Sequence, residues 1–200
     1  DAEGVKPVSS AEFGLRVRKP SETRKITFIS EIDGSVQYYA LNPSSKPSKD
    51  NALILSVHGA SVEAIGQADA YASKDWANLV AATNRRPYGF DWEDWGRLDA
   101  LEALAQAKKT YSHDTQRVML TGHSMGGHGT WHLGVTFPDL FAAIAPSAGW
   151  SSFFSYGGST RIAPNDAVAN VMGRAMNPSD TLSLTRNTLL EQVYILHADA

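Results

Sequence analysis

The stretch TGHSMGGHGTW, residues 121–131, sets one serine, Ser124, among four glycines. Glycine weakens helices and strands alike, so this density calls for a local geometric reason. Gly122-His123-Ser124-Met125-Gly126 fits the spacing G-x-S-x-G, in which a serine sits on a sharp turn between a strand and a helix. The flanking glycines let strand and helix close together while the serine oxygen stands clear of the sheet. A serine hydroxyl attacks a carbonyl only when a base takes its proton, and the oxyanion so formed needs two N–H donors. That chemistry is acyl transfer. The Met125 N–H, directly after the serine, supplies one donor, and the turn His58-Gly59-Ala60 offers the Ala60 N–H as the second. His58 itself reads as a brace for that turn. A glycine-rich turn can instead hold phosphate at a helix N-terminus. Here neither a P-loop lysine nor a G-x-G-x-x-G pattern accompanies it.

Composition narrows the field. The 200 residues are 42% hydrophobic and 20% charged, the balance of a globular chain long enough to bury a core. A net charge of −3, with both signs scattered, leaves no footprint for nucleic acid or an anionic surface. With no cysteine, disulfides, thiolate metal sites and a cysteine nucleophile are excluded. No H-E-x-x-H spacing occurs, and no metal or cofactor is expected. No apolar run approaches the ~18 residues of a membrane span. The chain opens at Asp1 without a basic-then-apolar leader and reads as part of a longer polypeptide.

Stepping along the chain, residues 1–22 are polar and read as a linker or the end of a preceding domain, with 23–200 as one catalytic domain. Ile26–Ile32 and Ser35–Leu41 flank Asp33-Gly34, a hairpin signal. Ala52–Val57 is an apolar run that suits a strand buried on both faces. A short helix within residues 62–76 is followed by a strand at 77–83. Trp92 to Tyr111 reads as the strongest helix. Its Trp95, Leu98, Leu101 and Ala105 recur at helical spacing, with Asp91, Glu93 and Asp94 at its positive end. A strand at 117–122 enters the serine turn, a helix at 125–136 leaves it, and a strand follows at Phe141–Ala145. A short helix near 165–173 and a strand at 192–197 complete the series. Alternation of strands and helices predicts an α/β fold, a mostly parallel twisted sheet with helices on both faces and its sites at the strands' carboxyl ends.

LILSVHGA, RVMLTGHSMGGHGTW, FPDLFAAIAPSAG and VYILHADA, in this order, resemble the α/β-hydrolase superfamily. Within it they resemble the prolyl-oligopeptidase-type serine peptidases and the secreted esterases related to them. The resemblance spans residues 50–200 and implies Ser124 as nucleophile, followed by an acid and then a histidine base. It places the acid four positions after His197, just beyond Ala200, with Asp199 as a second-choice candidate, and the base further downstream. Residues 1–200 alone are therefore expected not to reach a full enzymatic rate. His128 and His132, four and eight residues past Ser124, are assigned to packing or hydrogen bonding. His113 falls at the opposite sheet edge, and His123 packs.

Trp150, Phe153, Phe154 and Tyr156 gather beyond a strand end and form either a substrate wall or a local core. Arg85 and Arg86 follow the strand 77–83; they either hold a substrate carboxylate or, the favoured reading, pair with Asp91, Glu93 or Asp94. Peptidase and carboxylesterase share this chemistry. The resemblance favours the peptidase, with an acetyl, feruloyl or polyester carboxylesterase as the alternative. A non-catalytic binding module on the same fold is the second alternative. The expected partner is a small-molecule, peptide or carbohydrate-ester substrate, and the resemblance implies a periplasmic or extracellular setting.

Overall fold

A computed structural model describes residues 9, 11–14, 16–89, 91–152 and 166–197. Its strands are β1 (Arg24–Ile29), β2 (Val36–Asn42), β3 (Ala52–Val57), β4 (Ala77–Ala81), β5 (Val118–His123), β6 (Ala143–Ser147) and β7 (Gln192–Val193). Its helices are α1 (Ala64–Asp69), α2 (Asp94–Thr110), α3 (Met125–Thr136) and α4 (Ala167–Met176), with 3₁₀ turns at Asn177–Ser179 and Thr181–Leu190. The strands form one sheet in the order β1-β2-β4-β3-β5-β6-β7. The first two pairings, β1–β2 and β2–β4, are antiparallel; every other pairing is parallel. This is the expected α/β sheet, and among the described residues no helix is long and apolar enough to cross a membrane.

The alternation within β3 shows why helices lie on both faces. Leu53, Leu55 and Val57 join the core shared with Ala100, Ala103 and Leu104 of α2 and with Leu133 of α3. Ala52 and Ile54 point the other way, into the core shared with Ala64 and Ala68 of α1. Successive side chains of a strand face opposite sides, so a strand buried throughout needs cover on both. All six β3 residues are buried.

Element ends differ from the sequence reading where side chains intervene. The first strand ends at Ile29 because Ser30 Oγ and the Glu31 N–H both donate to the Glu102 carboxylate of α2, at 2.9 and 2.6 Å. Residues 30–35 form the turn, and Gly34, at φ 71°, supplies its left-handed residue. The strand expected at 141–145 lies two residues later, in register with β5 from Met119↔Ala143 to His123↔Ser147, so Ser147 comes level with the serine turn. The strand expected at 192–197 bonds to β6 over most of that length. Tyr194 N–H donates to Ile144 O at 2.9 Å and Leu196 N–H to Pro146 O at 3.1 Å.

Candidate active site

Ser124 stands between β5 and α3 with φ 58° and ψ −120°. A side chain at positive φ is strained by roughly 1–3 kcal/mol and persists only when its surroundings hold it. They do so here. The Ser124 N–H donates to Ser147 O at 2.9 Å, while its carbonyl accepts from Gly127 and His128 at 2.8 and 3.1 Å. The glycine density has a steric cause. A Cβ on Gly126 would collide with the Val57 carbonyl oxygen, and one on Gly122 would lie 2.6 Å from the same atom. Glycine costs about 0.8–1 kcal/mol each inside a helix. Helix α3 carries four and is buried on nearly every side, so packing rather than propensity holds it.

The turn after β3 lies against the serine: a Cβ on Gly59 would sit 3.5 Å from Ser124 Cβ. Ala60, next in the chain, is exposed, and Ser61 takes φ 65°. Met125 opens α3, so its N–H has no acceptor within the helix. The His58 ring is fully buried, its Nδ1 2.9 Å from Gly59 O and its Nε2 2.9 Å from Thr83 O. It braces the turn, as the sequence reading expects. Trp92 adds a second brace: Nε1 donates to His58 O at 3.0 Å, and the two rings meet edge to face at 4.8 Å.

Arg85 pairs with Asp33, Asp99 and Glu102 at 3.3, 3.2 and 3.3 Å. The salt-bridge reading holds for Arg85, but the partners differ from those expected. With φ 59° its backbone turns the side chain toward the β1–β2 turn and the buried carboxylates of α2. Arg86 is exposed. Phe153, Phe154, Tyr156 and Asp199 lie outside the described residues. His123 Nδ1 lies 3.0 Å from Ser147 Oγ, His113 Nδ1 bonds Tyr111 O, and His197 is exposed. Among the described residues no imidazole hydrogen-bonds the Ser124 hydroxyl.

Beside α3 lies a buried polar cluster that the sequence did not reveal. His128 Nε2 is 2.9 Å from Glu93 Oε1, and its Nδ1 is 3.1 Å from Trp150 O. Trp150 stacks on the His128 ring, centroids 5.0 Å apart. Ser179 Oγ donates to the other Glu93 oxygen. Burial opposes the Glu93 charge, but the hydrogen bonds from His128 and Ser179 outweigh it and hold the pKa below the usual value. Burial lowers His132 to about 4; neither ring nitrogen has a partner among the described residues. Burial also raises Asp91 to about 7, with Glu93 adding repulsion and His128 opposing. The residues making this cluster come from four separate segments, and only folding brings them together.

The Asp91 shift predicts a pH dependence. Folded Asp91 binds its proton up to about pH 7, whereas the unfolded group releases it near 4. The folded state thus holds more protons in that window, and stability falls as pH rises through it. Asp91→Asn is expected to melt above the wild type at pH 8, with the gap closing toward pH 4. A gap independent of pH in thermal unfolding would refute this.

A mostly parallel sheet with a strained serine at the β5–α3 junction is the α/β-hydrolase fold with its serine turn. The chain belongs to the Esterase family, described as "Putative esterase", whose model matches residues 61–192. It is 29% identical over 177 residues to an uncharacterized secreted protein of Arthroderma benhamiae, covering 78% of this chain and 19% of that protein. It is 31% identical over 119 residues to the bifunctional acetylxylan esterase/xylanase XynS20E of Neocallimastix patriciarum, covering 54% and 17%. The chain thus spans less than a fifth of the length of either relative. Among solved structures it is similar to FphF, a fluorophosphonate-binding serine hydrolase of Staphylococcus aureus. The TM-score is 0.63 at 15% identity, covering 88% of this chain and 79% of that one.

Proposed function

We propose that residues 23–200 carry the nucleophile side of a secreted carboxylesterase that works through an acyl-enzyme on Ser124. The Ser124 proton passes to a base as Oγ bonds to the ester carbonyl carbon. The tetrahedral oxyanion takes hydrogen bonds from the Met125 and Ala60 N–H groups. Collapse breaks the ester C–O bond, the alcohol leaves with the proton, and water reverses the sequence to free the acid. The family resemblance places the base and its acid beyond Ala200, with Asp199 the second-choice acid, and the buried histidines, engaged away from the serine or enclosed, are consistent with that placement. His58 and His128 face acceptors, and His132 is 1% exposed.

The observation that carries this reading is the strained Ser124 backbone with the 58–60 turn packed against it. The Esterase family and the acetylxylan esterase relative support an ester, on a small molecule or a carbohydrate, over the peptide bond that the sequence resemblance favours. The secreted relative supports export.

A fluorophosphonate probe tests it on the natural polypeptide that carries this chain. Covalent labelling is expected at Ser124, with turnover of p-nitrophenyl acetate and little of a proline-type peptide p-nitroanilide. An unlabelled serine would leave a binding module. Amide turnover matching the ester would restore the peptidase.

A further inference from the structure

The His128 ring has two acceptors and one aromatic face to serve. A neutral imidazole carries one N–H, so its bonds to Glu93 Oε1 and to Trp150 O form together only when both nitrogens are protonated. A charged ring gains from the Glu93 carboxylate and from the indole stacked on it at an interplanar angle of 12°. Its position matters because of what Trp150 is joined to. Three residues before it, Ser147 O accepts the Ser124 N–H at 2.9 Å. Between them, Gly149 packs so closely on the first turn of α3 that a Cβ there would collide with the His128 nitrogen. The indole and the serine backbone are therefore parts of one packed unit.

We propose that His128 is a positioning residue for the acyl side of the site. Clamped by Glu93, it fixes the half-buried Trp150 as a wall and so sets which acyl groups fit beside Ser124. This rests on the esterase reading above. The clamp is itself anchored at both ends: Glu93 precedes α2 and also accepts from Ser179, while Trp150 follows β6. The His128 ring bonds Glu93 and Trp150 O rather than the Ser124 hydroxyl, so its effect on the acyl group travels through Trp150.

The test uses His128→Gln and Glu93→Gln in the natural polypeptide, assayed on p-nitrophenyl acetate, butyrate and octanoate. In His128→Gln the KM for octanoate relative to acetate is expected to shift about tenfold, with kcat for the two esters moving together. Glu93→Gln keeps an acceptor but loses the charge, and is expected to shift the ratio the same way by less. Trp150 emission, isolated by subtracting a Trp150→Phe spectrum, is expected to brighten as the stacked imidazole ring is lost. Equal loss on all three esters, or an unaltered acyl profile with Ser124 labelled by fluorophosphonate, overturns the positioning role. An unlabelled Ser124 with the emission change intact overturns the esterase reading and leaves the clamp standing.

Discussion

Ser124→Ala in the natural polypeptide is expected to lower kcat on an activated ester about 10⁵–10⁶-fold, with KM little changed. The alanine keeps the β5–α3 turn but removes the oxygen proposed to form the acyl-enzyme. On the proposed mechanism, what survives is the pull of the Met125 and Ala60 N–H groups on a carbonyl attacked by water, roughly 10³–10⁴-fold over the uncatalysed rate. A companion substitution separates chemistry from strain. Ser124→Gly should be equally inactive, yet more stable than Ser124→Ala by about 1 kcal/mol, because glycine adopts φ 58° without penalty. Steady-state rates and denaturant midpoints on the three proteins read both effects. A Ser124→Ala enzyme that keeps more than about a hundredth of the rate would remove this serine from the mechanism.

The serine turn is legible in the sequence because its chemistry needs contiguous residues: strand, G-x-S-x-G and helix follow one another in the chain. The alternation of apolar runs likewise carries the parallel sheet, and each shift of a strand end traces to a contact made across the fold. Glu102 accepts the hydrogen bonds that end β1, although it lies 71 residues from Glu31. Arg85 finds Asp33, 52 residues earlier, where proximity in sequence points to Asp91 or Glu93. Helix α2 starts at Asp94, not Trp92, because Asp91 and Trp92 take φ 56° and 64°. Periodicity cannot show that, since a left-handed pair leaves the spacing of Trp95 and Leu98 intact. The His128 clamp was equally hidden. Its members are separated by up to 86 residues, and nothing in a lone histidine on a helix marks which carboxylate it will meet.

That left-handed pair explains the second large effect. Backbone strain at Asp91, Trp92 and Asp94 costs roughly 1–3 kcal/mol at each residue and needs a return. Trp92 supplies it. The side chain is fully buried against Gly129 of α3, where even a methyl group on the glycine would strike the indole. Trp92→Ala is therefore expected to destabilise the chain by about 3–5 kcal/mol, the loss of a large aromatic plus the cavity left behind. Trp92→Phe keeps most of the packing but strands the His58 carbonyl, a cost of about 1–3 kcal/mol. The order wild type, Phe, Ala should appear in urea midpoints. It should appear again in the rate of fluorophosphonate labelling, because the same indole N–H steadies the 58–60 turn, whose Gly59 packs against Ser124 and whose Ala60 N–H is the proposed oxyanion donor. An alanine variant within about 1 kcal/mol of the wild type would mean that the 91–94 strain is relieved by something other than this tryptophan.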